Sequence, residues 1–136
     1  MIATNEDLEG HLSRLSRVFE RAEDAEVYLV SMGPGQSPCA LNISPPVLVA
    51  QVRVAQAPAG DGPGTAQFLR RLLELNASGL MHAAFAIESG QIVLTAALEL
   101  QNLDMNELEA VLSDLDWALA EHVPSLVSLS KSLGLG

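Results

Sequence analysis

Residues 80–100 read Leu-Met-His-Ala-Ala-Phe-Ala-Ile-Glu-Ser-Gly-Gln-Ile-Val-Leu-Thr-Ala-Ala-Leu-Glu-Leu, and this stretch decides the fold. Taken in steps of two, Met81, Ala83, Phe85 and Ile87 fall on one face of an extended segment, and Ile92, Leu94, Ala96, Leu98 and Leu100 on one face of the next. Alternate residues of a strand share a face, so both halves read as strands, Leu80–Glu88 and Gln91–Leu100. Ser89-Gly90 between them is a two-residue hairpin turn, with glycine supplying a positive φ.

Upstream, Phe68, Leu69, Leu72, Leu73 and Leu75 have helical spacing, which predicts a helix over Ala66–Asn76. Thr65 is placed to cap its start, and Asn76 and Gly79 suit its exit. The loop Ala57–Gly64, with two prolines and three glycines, precedes it. Three further strands are expected before that loop: Glu26–Met32, Cys39–Ser44 and Val47–Gln56. The last is a β-branched run with Gln51 and Arg53 on one face and Val52 and Val54 on the other. Gly33-Pro34-Gly35 and Pro45-Pro46 punctuate these strands. At the start, Thr4 with Asp7 resembles a capping box. Leu8, Leu12, Leu15, Val18, Phe19 and Ala22 then predict one helix ending near Asp24, on which Arg14, Arg17 and Arg21 pair locally with Glu20, Glu23 and Asp24.

Downstream, Asp104 with Glu107 opens a last helix, striped by Leu108, Val111, Leu112, Leu115 and Leu119. It is expected to run to about His122 and stop before Pro124. The order is α-β-β-β-α-β-β-α, an α+β fold with helices packed on a curved antiparallel sheet. Residues 1–124 form the expected single domain, and residues 125–136 a C-terminal tail or short helix.

A chain of 136 residues with 49% apolar side chains can bury such a core. Aromatics make up only 4%, so Leu, Val, Ile and Ala must build it. The net charge of −10 opposes direct binding to nucleic acid or to an anionic membrane surface, and favours a basic protein partner. No apolar run approaches the roughly 20 residues of a membrane helix, and the first residues carry acids where a secretory signal carries Lys or Arg. A cytoplasmic location is expected.

Reaction chemistry finds no foothold. His11, His82 and His122 lie in separate elements without a second ligand at metal spacing, so no metal and no cofactor are expected. Cys39 is alone, has no basic neighbour in sequence, and reads as a core thiol. The glycine-rich segments lack Gly-Lys-Ser/Thr, and no Gly-x-Ser-x-Gly elbow occurs. The chain is not expected to be an enzyme.

Surface chemistry is richer. No Lys or Arg occurs between Arg71 and Lys131, while Glu99, Asp104, Glu107, Glu109, Asp114, Asp116 and Glu121 lie in that stretch. Most of these acids read as a solvated helix face, whose field would speed encounter with a cationic partner. Trp117 falls roughly opposite the leucine stripe. Either the tail covers it, through Leu126 or Leu129, or it belongs to an interface, where Trp is enriched. His82 is out of phase with the Met81/Phe85 face and points to solvent or a partner. Trp117, Asp114, Glu121, Glu107 and His82 are therefore the interface candidates.

The stretch Phe68-Leu69-Arg70-Arg71-Leu72-Leu73-Glu74-Leu75-Asn76-Ala77, followed by the hairpin and by Leu98-Glu99-Leu100-Gln101-Asn102-Leu103-Asp104 and Glu107-Leu108, resembles the YbjN family and its type III secretion chaperone relatives. The resemblance covers about half of the chain, and the N-terminal part matches in order of elements. It implies a small acidic cytoplasmic homodimer without catalysis. Chaperone-type relatives hold an extended segment of one protein client, and YbjN-type members are linked to stress and regulation.

Two kinds of work compete. One is a chaperone- or adaptor-like homodimer that engages a basic client, a nucleic-acid-handling protein being one such client. The other is a small-ligand regulatory or stress-response domain that uses the concave sheet face as a pocket.

Overall fold

In the computed structural model, which describes residues 2–22 and 26–135, the hairpin forms the end of a six-stranded antiparallel sheet. The elements are α1 (Asn5–Arg14), β1 (Phe19–Arg21), β2 (Val27–Val30), β3 (Cys39–Ser44), β4 (Val47–Gln56), α2 (Pro63–Ser78), β5 (Ala84–Glu88), β6 (Gln91–Glu99) and α3 (Met105–Ser132). The strands lie side by side as β1-β2-β3-β4-β6-β5. The fold is α+β, with one strand more than the sequence suggests.

The hairpin turn has positive φ at both central residues, 51° at Ser89 and 77° at Gly90, which matches the right-handed twist of its strands. β6 then zips along β4 from Val47↔Glu99 to Arg53↔Val93, and the register slips between Arg53 and Ala55. A row of buried residues crosses the sheet: Val30 opposite Cys39, Cys39 opposite Val52, Val52 opposite Leu94, and Leu94 opposite Phe85. This row joins one core with Leu8 and Leu12 of α1, Phe68, Leu72 and Leu75 of α2, and Leu108, Val111, Leu112, Leu115 and Leu119 of α3. Each such buried side chain contributes about 1.5–3 kcal/mol relative to exposure. On the opposite sheet face Asn42, Arg53, Ala86 and Ala97 are exposed.

The start of α1 is as expected. The Asp7 amide donates to Thr4 Oγ1 at 3.2 Å, and Asp7 Oδ2 accepts from the Thr4 amide at 3.1 Å. Its end is not: α1 stops at Arg14 with Leu15 as C-cap. Ser16 takes a left-handed φ of 58° and turns the chain back, so Phe19–Arg21 pairs with β2 as a strand. The Phe19 ring meets the Tyr28 ring edge-on at 6.0 Å. The expected helix end near Asp24 lies outside the described residues. The arginines do not cluster on a helix either. Arg17 pairs with Asp116 of α3 at 2.8 Å, and Arg21 lies over the Tyr28 ring at 5.8 Å.

Two more boundaries differ. α2 starts earlier, at Pro63 with Gly62 as N-cap, because proline suits the first helical turn. Thr65 is thus no cap. It is buried, and its hydroxyl donates to the Ala59 carbonyl. α3 does not stop before Pro124 but runs through it to Ser132. Leu126 joins the core beyond the proline, which holds the helix together across the missing backbone donor.

Candidate protein-binding surfaces

α3 carries its two faces in sharp contrast. Leu108, Val111, Leu112, Asp114, Leu115, Ala118, Leu119 and Leu126 are buried. Ala110, Ser113, Trp117, Ala120, Pro124, Val127 and Lys131 are exposed at helical spacing along the other side. Trp117 is 52% exposed, with Val127 close behind at 47%. The helix continues past it, so the C-terminal segment does not fold back to cover the indole. Its ring instead meets His122 edge-on, 5.5 Å between centroids.

That histidine sits within α3, not at a helix end as expected, because the helix continues. His122 Nε2 donates to the Gly79 carbonyl at 2.9 Å, tying the C-cap of α2 to α3. Thirty-two residues apart in sequence, the His82 amide donates to Asp114 Oδ2 at 2.9 Å. Asp114, read from the sequence as a solvated acid, is buried at 9% exposure for this reason. These two bonds hold the α2–β5 connection against α3, so β5 begins at Ala84 and not at Leu80. Of the interface candidates, His82, Trp117, Glu107 and Glu121 are exposed. Glu107 stands about 15 Å along the helix from Trp117, beside the N-cap Asp104. The structure brings Asp114 to His82 and Trp117 to His122, and it strings Glu107, Trp117 and Glu121 along α3.

The sheet's two edges are unlike. At β5, Asn76 of α2 reaches across. Its Nδ2 donates to the Phe85 carbonyl at 3.0 Å, and its Oδ1 accepts from the Phe85 amide at 2.7 Å. One side chain thus imitates a neighbouring strand and guards the edge. β1 is short, and a hollow of about 530 Å³ opens beside it, lined by Val18, Phe19, Leu29, Met32, Pro34 and Pro38 among others. Val18 is 71% exposed. No local pattern marks this site, because Val18 and Phe19 sit on the stripe of the expected longer helix. Asn76 likewise read as a helix exit, although it lies inside α2.

A third feature is an apolar groove of about 490 Å³ between the β4–α2 loop and the C-terminal part of α3, lined by Val54, Pro58, Phe68, Val123, Leu126 and Leu135 among others. It lies where the end of β4 meets α2 and the C-terminal part of α3. Cys39 is fully buried, and burial pushes its thiol pKa up to about 12, so it is the inert core residue expected. Among the described residues no three of His, Cys, Asp or Glu gather into a metal-binding group, and no helix is long and apolar enough to cross a membrane.

Comparison with known proteins adds to this geometry. The sequence model of the family CesT_Tir_1 matches residues 1–132. Among solved structures, the fold resembles a chain of the heterodimeric complex ExoU–SpcU from the type III secretion system of Pseudomonas aeruginosa. The TM-score is 0.63 at 17% identity, over 86% of this chain and 95% of that one. YbjN from E. coli gives 0.59 at 10% identity, over 99% and 96% of the two chains. The Yersinia pestis type III secretion chaperone SycH, solved in complex with a stable fragment of YscM2, gives 0.55 at 22% identity, over 93% and 100%. No curated protein sequence matches the chain.

Proposed function

The chain belongs to the CesT_Tir_1 family of type III secretion chaperones, and from that premise we propose that it is a non-catalytic homodimeric module that binds one protein client in the cytoplasm. The observation that carries the reading is the unequal treatment of the two sheet edges. Asn76 closes β5 with two hydrogen bonds, while the other sheet edge, β1, borders a hollow of mixed polar and apolar lining, with Val18 exposed and Glu20, Ser31 and Gln36 beside it. An open strand edge is a template for an extended segment, whose backbone pairs with the strand while alternate side chains fill the pocket. The net charge of −10 favours a basic client, including one whose basic face handles nucleic acid. Exposed Trp117, Glu107, Glu121 and His82 are the proposed contacts on the α3 side, with Asp114 holding the His82 loop from beneath.

The test is co-purification of the tagged chain from its own cytosol at low and at high salt, beside Val18→Asp. One stoichiometric partner is expected at low salt, reduced at high salt and lost in the variant. Absence of any partner at either salt overturns the reading. The groove of about 490 Å³ is the observation behind the second reading, a small-ligand regulatory domain with a role in stress responses. A metabolite that raises Tm, with loss of the effect on Val123→Trp, would favour it.

A further inference from the structure

We propose that the β2–β3 loop, residues 32–38, is a movable wall of the hollow beside β1, and that Asp116 of α3 is the positioning residue that latches it. The latch is a property of the chain itself, and its bearing on function rests on the client reading above.

The wall begins where a strand ladder runs out. β1 and β2 pair as far as Phe19↔Val30, and the Ser31 amide adds a last rung by donating to the Val18 carbonyl at 2.9 Å. One step further, Arg17 and Gly33 share no backbone bond. A single carboxylate bridges them. Asp116 Oδ2 accepts from Arg17 Nη1 at 2.8 Å, and Oδ1 accepts from the Gly33 amide at 3.2 Å. Among the described residues, the Gly33 bond is the only hydrogen bond from residues 32–38 to the rest of the chain. The loop's other bond, from the Gln36 amide to the Gly33 carbonyl at 3.1 Å, is internal.

The loop has room on both sides. The hollow of about 530 Å³ sets it against Val18 and Glu20, and a second of about 450 Å³ sets it against Arg17, Asp116 and Ala120. Met32, Gly33, Pro34 and Gln36 line both. A Cβ added at Gly33 or Gly35 would meet nothing within 4 Å. Local opening is drawn from segments with few ties, and a loop held by one bond between two hollows is such a segment. That bond is charge-assisted, and its acceptor stands on a helix fixed in the core through Leu112, Leu115 and Leu119. Latched, the loop gives the β1 hollow a wall; released, it takes that wall away. An extended segment paired with β1 would rest its side chains on the wall and so favour the latched state.

Cys39 reports on the wall. It is the chain's single cysteine, it follows the loop directly, it is fully buried, and the charges of Asp116 and Arg17 reach its thiol. Labelling with DTNB at mildly alkaline pH, across a urea series, separates loop opening from unfolding, because urea dependence scales with the surface exposed. At low urea the wild-type chain should label at a rate that barely changes with urea. Asp116→Ala should raise that rate roughly 10-fold or more, the range of one hydrogen bond to a charged group. Asp116→Asn keeps an acceptor for the Gly33 amide and Arg17→Gln keeps the carboxylate, so each should raise it by less than about threefold. Labelling that follows global unfolding at every urea concentration would overturn the proposal, and so would equal rates in the wild type and Asp116→Ala. These arms need no client, so their failure is distinct from failure of the client reading. In the complex with a co-purified partner, labelling should slow; an unchanged rate there would detach the wall from the site and overturn its proposed role.

Discussion

Asp114 illustrates how a single side chain fixes the path of a distant loop. Its carboxylate accepts the His82 amide at 2.9 Å in a buried setting. Asp114→Leu leaves that amide without a partner and should cost about 1–3 kcal/mol, measured by chemical denaturation, while Asp114→Asn keeps an acceptor and should cost less. The burial was legible in principle. Asp114 precedes Leu115 and follows Val111 by three, which places it on the edge of the core stripe; its acidic neighbours drew it to the solvated reading. Cys39 carries a pH signature. Burial holds its thiol protonated to about pH 12, with desolvation the largest cause, whereas in the unfolded chain it ionises at its ordinary value near 9. The unfolded state therefore binds fewer protons at high pH, and stability present below that ordinary value is lost as pH rises toward 12. Tyr28, raised by burial and by its bond to Glu9, acts in the same direction. Cys39→Ala should make the alkaline loss shallower by up to about 1.4 kcal/mol per pH unit between those limits.

Elements succeed or fail in the sequence according to whether their ends are local. The β5–β6 hairpin was legible because both its alternation and its turn lie within 21 consecutive residues. β3 and β4 were legible to the residue, because Pro45-Pro46 and the β-branched run mark their limits. The first helix was not. Leu15, Val18 and Phe19 fit a helical stripe and a turn into a strand equally well, and what decides is the pairing of Phe19 with Val30, which no local pattern carries. α3 ran past its expected stop for a related reason. Leu126 is buried beyond Pro124, and the packing offsets the backbone bond that the proline removes. Asn76 shows the same dependence on a distant partner, since its two bonds are to Phe85. Asn76→Ala removes both and bares the β5 edge. It should cost about 2–3 kcal/mol, speed hydrogen exchange at the Phe85 amide, and increase aggregation at high concentration.

At the scale of the molecule, the charge does work that no single contact reveals. Of the 17 acids, five are engaged among the described residues: Asp7 and Asp104 serve helix caps, Glu9 accepts from the Tyr28 hydroxyl, Asp114 holds a loop, and Asp116 makes the ion pair with Arg17. Most of the negative field is therefore left to act on partners. Exposed charges beyond about 8–10 Å from a contact are screened at physiological salt, so this field shapes encounter more than the bound state. The client that the β1 edge is proposed to hold should thus feel the acids of the far side mainly while approaching. Replacing Glu88, Glu99 and Glu109 by Gln removes three exposed charges that line neither the β1 hollow nor the centre of the exposed α3 stripe. Stopped-flow measurement with a cationic client should show a slower association rate for the triple variant and a shallower fall of that rate with added salt. The dissociation rate should stay within about twofold, because the contacts themselves are untouched. Val18→Asp should do the reverse, raising the dissociation rate while the salt dependence of association keeps its slope. If the triple variant instead changed dissociation alone, the acids would be part of the bound contact, and the client would lie across α3 and not along β1.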